Sequence, residues 1–384
     1  MESYDVIIIG GGIAGTGLAY NLSQECPHKS VLLIEKDEIG GNAGYGYRII
    51  FKDTIDRYKL PFSHKYKYFN VGAYDKIYFK VFHNVYFVDY KQICNNLFRR
   101  GNPDLTNDEA ISVDNNILKG RKQDYKFQYL IDCSGNNSFL AARNNRPYPY
   151  INWINKSRII TNDNNLNDKS FYYMFSDTGY FEEIYPLKDR VIHADWLYTR
   201  KPEFNKIRPH IGTLSKKLKI HGKIIKEFQS VVPVAPVLPL TKGNYAFLGD
   251  SFGNADPAVG MGIKLILESS KILTNAIKQE DLTYYNIEWK KIFLNRYIKW
   301  IASKLDRYHC PPIIQKIKNY PSLTKVVEIM GRKPDTFLNM LKNEDGIEVS
   351  NELKRLLPKI QIVTKAYYYL LLNLKYYFME LRYL

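Results

Sequence analysis

The chain has 384 residues, 45% of them hydrophobic and 24% charged, the balance of a folded protein of roughly two to three domain-sized units. This excludes a disordered tail, a collagen-like fibre and a disulfide scaffold. Lys and Arg number 55 and Asp and Glu 39, a net charge of +16, which favours an anionic partner such as phospholipid headgroups or a phosphorylated substrate. Lys, Asn, Ile and Tyr are all abundant, as AT-rich coding would make them, so the charge by itself identifies no partner. No nucleic-acid motif accompanies it, and no nucleic-acid partner is expected. Cys26, Cys94, Cys133 and Cys310 lack zinc spacing, so no metal site is expected. The apolar run after Met1 is short and ends in glycines, unlike a signal peptide. No stretch approaches the roughly 18 apolar residues that span a bilayer. A cytoplasmic location is expected, with room for peripheral contact at the inner face of the cell membrane.

In chain order, Tyr4 to Ile9 predict a short buried strand, Val6 to Ile9 being an unbroken β-branched run. Gly10-Gly11-Gly12-Ile13-Ala14-Gly15 follows and fits G-x-G-x-x-G. Leu18, Ala19 and Leu22 then share one helical face. Ser30 to Ile34 predict a second strand, which ends at Glu35, 20 residues after Gly15. That is where a βαβ dinucleotide fold places the acid that accepts hydrogen bonds from ribose hydroxyls. Gly10 permits the tight turn, Gly12 lets a pyrophosphate approach the backbone, and Gly15 lets the helix pack on the sheet. The helix N-terminus presents N–H groups and a positive dipole end to phosphate.

Further on, Tyr129 to Arg143 (YLIDCSGNNSFLAAR) reads as a hydrophobic strand followed by a polar turn. Alternating runs at Ser170 to Phe175 and Val191 to Tyr198 predict strands with one face on a pocket. Tyr245 to Leu248 predict a strand that stops at Gly249-Asp250. A loop carrying Pro257, Gly260 and Gly262 leads from there into a helix over Met261 to Ala276. From about Leu282 the chain reads helical and basic, and its tail, Ile360 to Leu384, mixes Tyr, Leu and Lys as interfacial helices do.

Three of these segments together resemble the flavoprotein superfamily of aromatic hydroxylases, flavin-dependent halogenases and geranylgeranyl reductases. They are the N-terminal glycines, Asp132-x-x-Gly135-x-x-Ser138 with Arg143 slightly late, and the late Gly249-Asp250 segment. Val231 to Ile263, the Tyr-rich Gly179 to Pro186 and the Glu35-Lys36 opening are similar to the geranylgeranyl reductase branch. The resemblance implies an α/β (α+β overall) protein: a Rossmann-like FAD-binding domain (three-layer ββα), an antiparallel-sheet substrate domain and a C-terminal helical region. The expected boundaries are 1–145 for the first FAD-binding part, with an inserted segment at about 51–80, then 146–235 for the substrate sheet, 236–280 for the second FAD-binding part and 281–384 for the helical region.

The cofactor so implied is FAD. Its expected contacts are Gly10, Gly12, Ile13, Ala14, Gly15, Glu35, Lys36, Tyr45, Gly46, Arg48, Val113, Gly135, Asp250, Pro257, Gly260, Gly262 and Ile263. Departures from the branch pattern are Tyr45-Gly46 where a Cys-Gly pair is usual, and Val88-Asp89-Tyr90 where an Arg usually follows the Asp; Arg48 is the candidate to replace that Arg. Phe181 and Glu182 stand in a motif that is otherwise Trp-rich. The implied activity is hydrogenation of double bonds in geranylgeranyl chains of membrane lipids or their precursors. The electron donor is expected to be separate: reduced ferredoxin, the deazaflavin coenzyme F420 or NAD(P)H. Monooxygenase or halogenase chemistry on the same fold, a lycopene-cyclase-like non-redox reaction and a non-enzymatic prenyl binder are the alternatives. The halogenase motif Trp-x-Trp-x-Ile-Pro is absent from the sequence. Tyr47, Tyr185 and His193 are the candidate proton donors, each set against an ordinary structural role.

Overall fold

A computed structural model of the chain describes residues 1–41, 47–73, 76–143, 152–163, 166–175, 180–199, 204, 207, 218–256, 262–294, 296–297, 331 and 338. The chain opens with β1 (Glu2–Ile9), α1 (Ile13–Glu25), β2 (Val31–Ile34), β3 (Tyr47–Phe51), α2 (Lys52–Tyr58), β4 (His64–Tyr66), β5 (Tyr68–Ala73), β6 (Lys76–Val81), β7 (Val85–Asp89) and α3 (Tyr90–Gly101). Next come β8 (Asp104–Thr106), β9 (Ala110–Asp114), β10 (Ile117–Gly120), β11 (Asp124–Asp132) and α4 (Phe139–Arg143). The third group is β12 (Asn152–Thr161), β13 (Ser170–Phe175), β14 (Tyr180–Pro186), β15 (Arg190–Thr199) and β16 (Ile224–Pro233). Then follow β17 (Thr241–Lys242), β18 (Tyr245–Phe247), α5 (Ile263–Lys278) and α6 (Leu282–Trp289).

The first sheet runs β17-β18-β11-β1-β2-β8, with β10 and β9 added through β11. Its β18, β11, β1, β2 and β8 are mutually parallel. Parallel strands are covered on both faces, which explains why Val6 to Ile9 and Leu130-Ile131 are apolar without alternation and almost fully buried. Helix α1 packs against both α3 and α5. Its residues are small on several sides, so it is buried nearly all round from Ile13 to Leu22.

The second sheet runs β16-β12-β15-β14-β13-β5-β6. The stretch from β12 to β16 is antiparallel throughout, as its alternation predicts. Its far edge comes from elsewhere: β5 and β6, from the inserted segment, extend the sheet, and β5 pairs with β13 in parallel. A parallel pair needs a long crossover, and here the intervening chain includes β7 to β12. β4 joins β3 and β7 in a small third sheet. The inserted segment therefore joins the second sheet through β5 and β6 and the small third sheet through β4.

The late Gly-Asp segment is a single tight turn, Gly249–Ser251, after β18. It is anchored by the C-terminal part: Arg296 reaches Asp256 through Nε at 2.8 Å and Nη2 at 2.7 Å, with both side chains almost wholly buried. Tyr297 donates to Asn254 Oδ1 at 3.2 Å. Helix α6 passes into one wide helical turn, Lys290–Leu294. The interfacial tail, Ile360 to Leu384, lies outside the described residues. No helix among the described residues is long and apolar enough to cross a membrane.

Candidate functional site: a dinucleotide cavity facing an aromatic wall

A cavity of about 810 Å³ lies between the two large sheets, in the upper part of the size range of ligand sites, roughly 300–1,000 Å³. One end is built by the turn from β1 into α1. Gly10 holds φ +108°, and a Cβ there would sit 2.5 Å from the Cys133 carbonyl oxygen. At Gly15 a Cβ would stand 2.0 Å from the Gly10 carbonyl oxygen, a backbone atom that has no room to retreat. Gly15→Ala is expected to cost about 3 kcal/mol or more, at or above the top of the usual range for overpacking. Denaturant unfolding of the purified variant checks it.

The first turn of α1 has no side-chain cap and no acidic residue, so its N-terminus is free to receive an anion. Ile13 N donates to the Tyr90 hydroxyl at 3.0 Å. Tyr90 heads α3, and the Arg48 guanidinium lies over its ring, 5.6 Å from the centroid. The Arg that usually follows the Asp is thus a Tyr here, and the positive charge arrives from β3, stacked on that same Tyr. Glu35 closes this end. Its carboxylate accepts from Gly11 N at 2.7 Å and Asp37 N at 2.9 Å and stays on the cavity wall.

The loop after β11 forms the next part of the wall. Asp132 is fully buried and accepts from Ser134 N (3.0 Å), Ser134 Oγ (2.6 Å), Ser138 Oγ (2.7 Å) and Leu140 N (2.7 Å). The D-x-x-G-x-x-S pattern is therefore a latch: the carboxylate gathers four donors and presents Ser134 to Ser138 to the cavity. Across from it, Asp250 is partly buried on the wall beside Gly262 and Ile263. Burial pushes the Asp250 carboxyl up to about 6, against the pull of Arg48.

The far end is aromatic. Tyr173 on β13, Tyr185 on β14 and Trp196 on β15 line the cavity. Behind them Phe171 lies 5.3 Å from Tyr185, and Phe181 stacks on Trp196 at 5.5 Å and 4°. Set among them is Glu183, 4% exposed, which also lines the cavity. Trp196 Nε1 donates to its Oε2 at 2.8 Å. Burial raises the Glu183 carboxyl to about 7, opposed by hydrogen bonds from Tyr185, Trp196 and Tyr173 and by Arg48. Ser230 on β16 adds a buried hydroxyl on the wall with no hydrogen-bond partner among the described residues.

Of the residues expected from sequence, Gly10, Gly12, Ile13, Ala14, Glu35, Lys36, Arg48, Gly135, Asp250, Gly262, Ile263 and Tyr185 line this one cavity. Gly15 stands just behind the turn as a packing residue. Val113 does not line the cavity; it sits on β9, opposite Leu118 of β10. Tyr45, Gly46, Pro257 and Gly260 lie outside the described residues. Of Tyr47 only the backbone is described, in β3 beside Asp89.

His193 is not at the cavity. It points to the other face of the second sheet, because β15 alternates and Trp196 takes the cavity side. There His193 Nε2 meets Glu182 Oε1 at 2.6 Å and Asp195 Oδ1 at 3.8 Å, all buried. Their ligand atoms lie within 4.8 Å of one another, yet two nitrogen or oxygen ligands of one zinc ion stand roughly 3.3 Å apart. At 2.6 Å the His193–Glu182 contact is a hydrogen bond. Burial disfavours the imidazolium, but the Glu182 hydrogen bond and the fields of Asp195 and Glu182 outweigh it and raise the His193 pKa.

A raised His pKa contributes stability that is complete below the unfolded value, about 6.5, and is lost as pH rises through the folded one. His193→Gln is therefore expected to cost about 2 kcal/mol at pH 6, as for a charge-assisted hydrogen bond, and less as pH rises above that of His193 in the fold. Paired urea titrations of wild type and variant from pH 6 to 9 check the trend.

The fold and the site are those of a dinucleotide-binding protein with a second, antiparallel sheet over its cavity. Residues 5–65 match the FAD dependent oxidoreductase family model. The chain is similar in fold to a geranylgeranyl bacteriochlorophyll reductase-like protein from Thermoplasma acidophilum, with TM-score 0.72, 16% identity, and coverage of 93% of this chain and 100% of that one. It is also similar to a flavin-dependent brominase (TM-score 0.62, 16% identity, 89% and 98% covered). A probable FAD-dependent monooxygenase from Pseudomonas aeruginosa shares the fold as well (TM-score 0.55, 13% identity, 88% and 100% covered). No curated protein matches the chain by sequence.

FAD is the cofactor of the family whose model matches residues 5–65, and the cavity suits it. The uncapped α1 N-terminus and Arg48 fit the pyrophosphate, Glu35 fits the adenosine ribose, and Asp250 with the start of α5 fits the flavin half.

Proposed function

We propose that the protein is an FAD-dependent reductase that hydrogenates double bonds in geranylgeranyl chains of membrane lipids or their precursors. The observation that carries this reading is the continuity of one cavity from the dinucleotide turn to the aromatic wall of Tyr173, Tyr185 and Trp196. Reduced FAD supplies hydride in such chemistry. The chain's own task is to hold an unpolarised alkene beside it in a dry, apolar setting and to provide a proton. The aromatic wall does the first: its rings are rigid, bury much area and exclude water. Electrons come from a separate donor, a reduced ferredoxin, a deazaflavin or NAD(P)H. The net charge of +16 is suited to a partner that carries lipid phosphate.

The test is anaerobic. The FAD-loaded protein is reduced chemically, mixed with a geranylgeranyl phospholipid or diphosphate, and the lipid is followed by mass spectrometry. A stepwise gain of two hydrogens per double bond is the expected result. An unchanged lipid over a flavin that stays reduced overturns the reading. Rapid reoxidation in air, with an oxygen atom or halogen appearing in an added aromatic substrate, moves the protein to the monooxygenase or halogenase reading, whose fold it shares.

A further inference from the structure

We propose that Glu183 is a catalytic residue, the acid that delivers a proton to the substrate held against the aromatic wall. The proposal rests on the reductase reading above. Three observations on the molecule lead to it. First, the register of the second sheet places Glu183 of β14 opposite Tyr173 of β13 and Ala194 of β15, so its carboxyl faces the cavity while Glu182 beside it faces away. Second, the carboxyl is held in place: Trp196 Nε1 donates to Oε2 at 2.8 Å, and Tyr185 and Tyr173 also hydrogen-bond to it. Third, it is 4% exposed among rings and yet lines the cavity. A buried acid with a shifted pKa in a cleft is a candidate for a working group.

The groups facing Glu183 from every packed element are Tyr173, Tyr185, Trp196 and, through its field, Arg48. Among the described residues at this end of the cavity, Glu183 is the one that combines position with acidity. A phenol with a pKa near 10 is a weaker acid by about three powers of ten than a group at about 7. His193 lies on the wrong face of the sheet. An acid whose pKa lies near working pH is the most effective proton donor.

In the step, Glu183 would give its proton to one alkene carbon, while bound reduced FAD would supply a hydride, and with it two electrons, to the other. The π bond would break, two C–H bonds would form, and the Glu183 carboxylate would take a proton back from solvent.

The experiment compares full-length, FAD-loaded wild type with E183Q and E183D in two measurements. Infrared spectra between pH 5 and 9 should show in the wild type a protonated-carboxyl band that disappears near pH 7 and is missing in E183Q. Single-turnover oxidation of the chemically reduced flavin by geranylgeranyl diphosphate should slow by roughly 10²–10⁴-fold in E183Q. The wild-type rate should fall as pH rises through about 7, E183D should keep part of the rate and that pH dependence, and E183Q should lose the dependence. FAD content, measured by absorbance, should match in all three.

An E183Q rate within threefold of wild type and the same pH profile overturns the proposal, as does an E183D rate without pH dependence. A wild type that leaves the prenyl chain untouched overturns the substrate reading and alkene protonation with it. That result is told apart from the first because wild type itself is then inactive, whatever the carboxyl band shows.

Discussion

Replacing Asp250 with Asn is expected to have two opposite effects. In the FAD-free protein the substitution stabilises. The Asp250 carboxyl is raised from 3.8 to about 6 by burial, so the folded state resists its charge. The cost is absent below pH 4, grows as pH rises towards 6 and is complete above it. A shift of two pH units corresponds to about 3 kcal/mol, which partial exposure reduces to roughly 1–2 kcal/mol.

With FAD seated as the resemblance implies, the same change is expected to weaken binding, because the charged acceptor offered to the ribityl hydroxyls is lost. A charge-assisted hydrogen bond is worth about 1.5–3 kcal/mol, which is roughly a 10- to 150-fold rise in Kd. Urea unfolding of the apoprotein at pH 4 and pH 7.5, with fluorescence titration of FAD, reads both. An Asn variant that is less stable at pH 7.5 and binds FAD as before would show that Asp250 serves packing alone. Sites that store such a cost usually repay it in ligand binding.

Asp132→Ala is expected to be the most damaging single change to the fold of the cavity. The carboxylate satisfies four donors in a fully buried setting. Its removal strands two backbone N–H groups and two hydroxyls, at about 3–5 kcal/mol. The Ser134–Ser138 stretch then loses its shape, and FAD retention should fall with it. Asp132→Asn is milder but still destabilising, because its amide nitrogen would face donors where the carboxylate oxygen accepted. Denaturant unfolding with FAD content measured on the same preparations checks both. A D132A protein with wild-type stability would mean that the loop is held by other contacts.

The cofactor end was legible in the sequence because its signals are local. Val6 to Ile9, the glycines and the Leu18-Ala19-Leu22 face lie within one strand, one turn and one helix, where steric rules and periodicity act over a few residues. Glu35 follows because a helix of fixed rise returns the chain to the next parallel strand after a nearly fixed length. The Gly249-Asp250 turn is legible for the same reason, and so is the alternation of the later strands.

What alternation left open is which face of a strand meets the cavity. In Phe181-Glu182-Glu183-Ile184 either glutamate could face it, and only the pairing of β14 with β13 and β15 assigns Glu183 to the cavity and Glu182 to His193. The same pairing turns His193 away from the cavity. Residues far apart in sequence also met only in the fold: Arg48 over Tyr90 at the first turn of α1, Asp256 against Arg296, and β5 beside β13. The sequence by itself thus determined the cofactor class, through motifs whose geometry closes within about 30 residues. Tertiary structure decided which glutamate of β14 faces the cavity, because a one-residue change of face in a strand has no local cost and is settled only by what the neighbouring strands bury.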